Sequence, residues 1–275
     1  MHVLIQGMTR TSSVLGYLLD VKGAKYYGEL DKMLERLSVE QQVSEVIRGY
    51  RSKTAGLNGL LFAYACEDMG TTPYGALGIG LTGISVSVHD DLTDKKLRNV
   101  AAYVNAGDVL LTEGFRIFVS ECHNSPNFAE AFQVFAMHTK IMWECQQTDM
   151  QFFGRDNVSE EEYFSNLAKT REWAKTGILT AATLAGKEVK DYEAISNGLG
   201  NIIQLINDIT DVEDDKASGF CTYFTCNIDR LGKEGTKNMA KEMIRRESEK
   251  IVGVMANNPS LHLFNKRLME LAEKI

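Results

Sequence analysis

Proline is scarce in this 275-residue sequence, with only Pro73, Pro126 and Pro259. Sheet-rich folds need more frequent turn punctuation than that, whereas long helices need none. Cysteine is nearly as sparse. Cys66, Cys122, Cys145, Cys221 and Cys226 are scattered, odd in number and set in no zinc spacing with histidine. They read as reduced thiols in a reducing, cytoplasmic compartment rather than as a disulfide framework. Long apolar runs are missing too. The most apolar stretch, residues 75–88, is too short to span a bilayer and is broken by glycine and serine. The opening MHVLIQGMTR lacks the basic start, apolar run and cleavage site of a signal peptide. Positive charge is also short: 30 Lys and Arg face 37 Asp and Glu, a net charge of −7. That balance argues against a nucleic-acid backbone as partner. An acidic protein still binds an anion where metal ions sit between the two.

No linker, low-complexity tract or fixed-period repeat divides the chain, so a single domain over residues 1–275 is expected. Leu57, Leu60, Leu61 and Tyr64 follow the spacing of an amphipathic helix, ended by residues 70–73. Residues 74–98 are nearly all apolar or small before an acidic end, which places that helix at the centre of a bundle. Helical patterning continues over 106–122 and 128–153, with Gly154 as a stop. Ser159 and Glu162 form a capping box for a helix running to about residue 185, stopped by Gly186. A further helix is predicted over 191–215, and Leu261, Phe264, Leu268 and Leu271 mark the last. Roughly ten such helices make a large all-α bundle.

Two acidic clusters interrupt this pattern. In the first, Asp90 and Asp94 stand at i and i+4, on one helix face, with Asp91 beside them. In the second, Asn207, Asp211 and Asp215 stand at i, i+4 and i+8, flanked by Asp208. Like charges at i, i+4 destabilise a helix. Both clusters also follow apolar helical sequence, where uncompensated carboxylates are costly. Hard divalent cations supply compensation through oxygen ligands, and Mg²⁺ in particular bridges to phosphates. A single acidic run reads better as a solvated helix end, since charge runs usually face water. Two runs, each ending an apolar helix, point to a shared metal–diphosphate site, and spacing alone leaves both readings open.

The residues resemble a known family at this point. HDDLTD, around Asp90, Asp91 and Asp94, is similar to the first DDxxD motif of the trans-isoprenyl diphosphate synthases. QLINDITDVEDD is similar to the second, with Gln204 as its leading glutamine, Asn207 in place of the first aspartate, and Asp208, Asp211 and Asp215 matching the rest. Gly107-Asp108-Val109-Leu110-Leu111 resembles the family's GDxLL segment, Gln146 and Asp149 its QxxD, and Lys175-Thr176-Gly177 its KTG. The resemblance spans about residues 57–225. It implies an all-α fold around a deep central cavity, a homodimer, and three Mg²⁺ ions, replaceable by Mn²⁺, held by Asp90, Asp91, Asp94, Asn207, Asp208, Asp211 and Asp215. It gives Asp90, Asp91, Asp94, Asp208, Asp211 and Lys175 the catalytic roles. Lys175, Thr176, Gln146, Asp149, Gln204, Arg98 and Lys216 are then the residues for substrate, an allylic prenyl diphosphate whose ionisation gives a carbocation.

The sequence departs from the family where the second substrate, isopentenyl diphosphate, is bound. Residues 54–59, TAGLNG, stand where the family has GKRxRP, and Gly83 stands near its histidine. The connector to Gly107 is short and keeps only Arg98, and Gly219-Phe220 replaces Gly-Lys. An anionic co-substrate needs cationic partners. Arg51, Lys53, Lys95, Lys96 and Arg98 are the candidates to rebuild such a patch, or else to serve as ordinary surface charge. Three outcomes stay open: a prenyltransferase using isopentenyl diphosphate or another acceptor, a class I terpene synthase, and a non-catalytic subunit of a heteromer. The Asn207, Asp211 and Asp215 spacing matches the terpene synthase triplet, although that triplet carries Ser/Thr and Glu at its second and third places. Gly83, Ser85 and Ser87 are small where the family floors its hydrocarbon pocket, which favours a C15 or C20 chain. Trp143, Phe152, Phe153 and Trp173 read as cation-pocket walls or plain core. His89 reads as a supporting donor or a packed ring.

Overall fold

A computed structural model describes residues 21–50, 56–94 and 99–275; the side chains of Val21, Lys22, Thr93, Asp94 and Asp149 lie outside that description. The expectations for the N-terminal twenty residues and for Arg51, Lys53, Thr54, Ala55, Lys95, Lys96 and Arg98 fall outside it as well.

Twelve α-helices follow one another among the described residues: α1 (Val21–Arg36), α2 (Gln41–Gly49), α3 (Leu57–Asp68), α4 (Ala76–Asp94), α5 (Val100–Cys122), α6 (Phe128–Asp149), α7 (Glu160–Asn166), α8 (Ala168–Leu184), α9 (Lys190–Thr210), α10 (Val212–Ser218), α11 (Tyr223–Val252) and α12 (Pro259–Ala272). The one extended pairing there is an isolated antiparallel bridge between Phe153 and Phe220. The all-α expectation therefore stands. None of the described helices is long and apolar enough to cross a membrane.

Helices α3 and α4 form the centre. The apolar spacing of α3 predicts one buried stripe, yet Asn58, Gly59 and Phe62 are buried along with Leu57, Leu60, Leu61 and Tyr64. It is enclosed because α4, α8 and α12 pack around it. On α4, Ile79, Leu81, Ile84, Val86 and Val88 are all buried, as its all-round apolar sequence predicts. Around this pair, α6 packs on α8, α8 on α9, and α9 on α11.

Gly154 and Gly186 take left-handed φ values at the predicted stops, and the Ser159–Glu162 capping box is formed. Three boundaries differ. Helix α5 starts at Val100, six residues early, because the Asn99 side chain caps it at Ala102 N. The helix predicted to 185 breaks at Leu167 into α7 and α8. The helix predicted over 191–215 bends at Asp211, whose φ of −100° and ψ of 6° separate α9 from α10.

Candidate active site

A cavity of about 570 Å³ opens among α3, α4, α6, α7, α8, α9, α10 and α12. Asp90 reaches it from the end of α4; Gln204, Asn207 and Asp208 reach it from α9, and Asp211, Asp214 and Asp215 from the bend and α10. Both acidic clusters thus meet in one space. The bend at Asp211 does not scatter the second cluster. Asp211 N still donates to Asn207 O at 2.9 Å and Asp215 N to Asp211 O at 2.8 Å, so the i, i+4, i+8 line survives.

Polar and apolar lining residues separate along the helices that carry them. Asp90 has Val86 one turn before it, Asn207 has Ile203, and Lys169 has Trp173 one turn after it. Gln146, which hydrogen-bonds Lys169, has the lining residue Met142 one turn before it. On α4, α6 and α9 the polar group is at the C-terminal side; on α8 it is at the N-terminal side. The result is a charged end and an apolar end. Phe152, Phe153, Leu268 and Leu271 add to the apolar lining. The Phe153–Phe220 bridge, with Gly154 N donating to Gly219 O at 2.9 Å and Cys221 N to Phe152 O at 3.1 Å, joins the loop after α6 to the loop after α10.

Asp208 is only 6 % exposed. Its two oxygens accept from Tyr163 Oη at 2.6 Å and Gln204 Nε2 at 2.6 Å, and Thr170 Oγ1 donates to Gln204 Oε1 at 2.5 Å. Burial and the adjacent Asp208 carboxylate push the Tyr163 phenol well above its ordinary pKa, so it stays a donor. Asp90 accepts from Lys169 Nζ at 3.2 and 3.1 Å, and the same ammonium donates to Gln146 Oε1 at 2.8 Å. Asp91 turns away from the cavity lining to accept from Tyr50 Oη. Burial, then this hydrogen bond, push the Tyr50 phenol upward.

Several predicted residues are placed elsewhere. Lys175 does not line the cavity: its Nζ donates to Glu172 Oε1 at 2.6 Å, and Glu172 Oε2 lies 2.5 Å from His138 Nδ1. Thr176 is fully buried, donating to Trp173 O and accepting from Asn58 Nδ2. Gly177 serves packing, since a Cβ there would lie 2.4 Å from Asn58 O on α3. Lys216 is exposed and paired with Asp229. Trp143 packs against His89, with the rings tilted by 59° and their centroids 4.5 Å apart, instead of lining the cavity. Gly107 makes room for that histidine, whose ring atoms a Cβ would approach to 2.3 Å, and Asp108 stands 3.6 Å from His89 Nε2. Of Gly83, Ser85 and Ser87, only Ser87 lines the cavity; Ser85 donates to Gly107 O at 2.7 Å.

Sequence reasoning missed Lys169, Tyr163 and Asp214. The signal for Lys169 was present, because Lys169-Thr170 and Lys175-Thr176 are two Lys-Thr pairs six residues apart. The glycine after the second drew the assignment, and that glycine answers to helix packing.

No group of three or more His, Cys, Asp or Glu side chains among the described residues is gathered into a metal cage. The donors are nonetheless hard oxygens on facing walls: Asp90 opposite Asn207, Asp208, Asp211, Asp214 and Asp215. That set fits Mg²⁺, which retains waters and binds through one or two carboxylates plus substrate phosphates, needing no all-protein cage.

Known proteins align with this architecture. The solved geranylgeranyl pyrophosphate synthetase of the archaeon Geoglobus acetivorans superposes with a TM-score of 0.76 at 19% identity, over 95% of this chain and 99% of that one. A Helicobacter pylori geranyltransferase complexed with magnesium and isoprenyl diphosphate gives 0.68 at 17% identity, over 95% and 98%. At these identities the likeness establishes the fold. In sequence, the geranylgeranyl diphosphate synthase of Sulfolobus acidocaldarius is 26% identical over 195 residues, covering 63% of this chain but 57% of that protein's length. The polyprenyl synthetase profile matches residues 86–251, more than half the chain and inclusive of both acidic clusters, and the chain belongs to that family.

Proposed function

We propose that this chain is a Mg²⁺-dependent prenyltransferase that ionises an allylic prenyl diphosphate of C15 to C20 length and passes the prenyl group to an acceptor. The observation that carries this is the segregated cavity. Carboxylates of both clusters and Lys169 stand at one end, and Val86, Met142, Trp173 and Ile203 stand one turn away. A diphosphate fits the charged end and its hydrocarbon chain the apolar end.

Asp90, Asn207, Asp208, Asp211 and Asp215 are the residues that would hold the metal, with three ions following from the family resemblance and Mn²⁺ as a substitute. When bound, Mg²⁺ supplies charge neutralisation of the leaving diphosphate. Tyr163 and Gln204 orient Asp208, and Lys169 adds a positive charge where the leaving group gains electrons. The C1–O bond breaks with its electron pair on oxygen, leaving an allylic cation. The apolar walls, Trp173 among them, keep water from that cation. Attack by the π electrons of an acceptor, then loss of a proton, completes the transfer. The C20 end of the range draws support from the geranylgeranyl product in the Sulfolobus relative's name, and from Ser87 on the cavity wall.

A second reading has its own observation: Asn207, Asp211 and Asp215 all line the cavity, as a terpene synthase triplet would. One assay separates the two. The protein is incubated with Mg²⁺ and C10, C15 or C20 allylic diphosphate, with and without isopentenyl diphosphate. A longer diphosphate formed only with isopentenyl diphosphate establishes elongation. Terpene hydrocarbon or alcohol from one substrate establishes cyclisation, and preference for C10 removes the length assignment. Sedimentation equilibrium tests the homodimer that the resemblance implies.

A further inference from the structure

Two of the scattered cysteines meet where α11 begins. A formed capping box opens that helix: Thr222 Oγ1 accepts from Thr225 N at 3.2 Å, and Thr225 Oγ1 accepts from Thr222 N at 2.8 Å. Cys221 is then the residue before the cap and Cys226 the fourth residue of the helix. Side chains at those two positions pack on one another across a capped helix start. Here both are free thiols, and they are in hydrogen-bond contact. Burial first, then that contact with Cys226, push the Cys221 thiol up to about 12. The two differ in surroundings. Cys221 is buried and lines the cavity, and its N–H donates to Phe152 O at 3.1 Å in the pairing that joins two loops of the wall. Cys226 is partly exposed and lies outside the cavity lining. The Arg155 guanidinium acts on both thiols electrostatically. Cys66 and Cys122 also feel one another, but they are 0 % and 3 % exposed, and Cys122 Sγ donates to Tyr74 O at 3.0 Å.

We propose that Cys221 and Cys226 are an oxidation site, which a peroxide converts into an intramolecular disulfide that ties the cavity wall to the first turn of α11. The partly exposed Cys226 reacts first. Its thiolate attacks one peroxide oxygen, the O–O bond breaks, the sulfur is oxidised to a sulfenic acid, and the departing hydroxide takes up a proton as water. Cys221 sulfur then attacks the sulfenic sulfur. The S–S bond forms, the S–O bond breaks, and the departing hydroxide takes the Cys221 proton as a second water. The first step prepares the second. A neutral sulfenic acid at 226 removes the charge that raised Cys221, while the Thr225 hydrogen bond and the Arg155 charge that favour its thiolate remain. Bond formation draws Cys221 towards α11, and its neighbours in the lining, Phe220 and Thr222, move with it. A dithiol reverses the change by exchange. Linkage makes the effect reciprocal: a ligand that binds the reduced cavity more tightly disfavours the disulfide by the same factor.

The test treats the full chain with hydrogen peroxide, alkylates the remaining thiols and digests with trypsin. Residues 217–230 form one tryptic fragment that carries both cysteines and no other. After peroxide that fragment is expected to lose two hydrogens and escape alkylation, and dithiothreitol is expected to restore it. In Cys226→Ser the disulfide is expected to be absent, and Cys226→Ala repeats the measurement in case serine disturbs the helix start. The effect on the cavity is read by titrating C15 allylic diphosphate with Mg²⁺ present and following tryptophan fluorescence, since Trp173 lines the cavity. Oxidation is expected to weaken binding reversibly by about fivefold or more, the lower end of the usual range for coupled sites. Cys226→Ser is expected to keep the untreated wild-type affinity before and after peroxide. A fragment that stays fully alkylated, or that gains oxygen without losing the two hydrogens, overturns the proposal. A disulfide that leaves the affinity unchanged overturns its link to the cavity. This binding arm rests on the prenyl diphosphate reading. If reduced protein does not bind the C15 diphosphate, that reading fails, and the mass of the fragment alone decides the thiol pair.

Discussion

The first acidic cluster ends an unbroken helix and is held from outside, by Tyr50 of the chain before α3 and by Lys169 of α8. The second lies at a bend, where Tyr163 and Gln204 donate to Asp208 and Thr170 donates to Gln204. Similar acidic sequences are thus supported in different ways. At Asp90 the support includes a lysine and is partly solvated; at Asp208 it includes a phenol and an amide and is buried. Substitutions that look equivalent in sequence should therefore diverge.

The largest effects come from the carboxylates themselves. Asp90→Ala and Asp208→Ala are each expected to lower turnover by at least about 10³-fold, or ~4 kcal/mol of barrier. They differ in stability. Asp208→Ala leaves the Tyr163 hydroxyl and the Gln204 amide without their buried partner, costing about 1–3 kcal/mol for each. Asp90→Ala leaves Lys169 with Gln146 and access to water. Single-turnover kinetics with thermal melts check both halves, and equal melting temperatures would erase the distinction between the clusters.

The next effect concerns the two lysines of α8. Lys169→Ala is expected to lower kcat/KM by about 10²-fold, as for loss of one charge-stabilising donor. Lys175→Ala is expected to stay within about threefold, or ~0.6 kcal/mol, because Lys175 points to Glu172. Steady-state assays at saturating Mg²⁺ decide the order, and the reverse order would return the diphosphate role to Lys175.

That lysine pair shows how far the sequence can be read. Periodicity located the helices well where one face is apolar, as with Leu261, Phe264, Leu268 and Leu271, all buried in α12. It could not show the breaks at Leu167 and Asp211, because helical spacing runs through both and only one residue in each leaves helical geometry. The early start of α5 was hidden because Val100 and Val104 face solvent and give no inward pattern. The second cluster was legible because carboxylates four apart stay on one face across the bend. Tyr163 was not, and the Lys-Thr pair at Lys169 could not be told from the one at Lys175, because the choice depends on α4 and α9 being brought alongside α7 and α8. No local spacing encodes that.

Smaller effects are expected from the tyrosines. Tyr163→Phe removes one of the donors that orient Asp208, and loss of such an outer partner typically weakens metal binding by about 10–100-fold. Tyr50→Phe is expected to do less, under about tenfold, because Asp91 does not line the cavity. Mg²⁺ titrations of both variants with pyrophosphate present make the comparison. A larger loss from Tyr50→Phe would put Asp91 among the ligands and make the first cluster the tighter of the two.

The smallest effect separates the cavity's charges from a network that only stabilises the fold. Burial alone would raise the Glu172 carboxyl, but hydrogen bonds from His138 and Lys175, with the charge of Lys175, outweigh it and hold the group below its ordinary range. A carboxyl depressed on folding contributes stability that is fully present above its unfolded pKa of about 4.3 and is lost as pH falls through the folded value. Wild-type melting temperature should therefore fall as pH drops below about 5. In Glu172→Gln that dependence should flatten, by about 2–4 °C between pH 7 and the acid end. Because Glu172 and Lys175 lie outside the cavity lining, Mg²⁺ affinity measured at pH 7 should not change in the variant. A change there would mean that the α6–α8 contact between His138 and Glu172 sets the position of Lys169, one turn earlier on α8, tying the support of Asp90 to a buried pair.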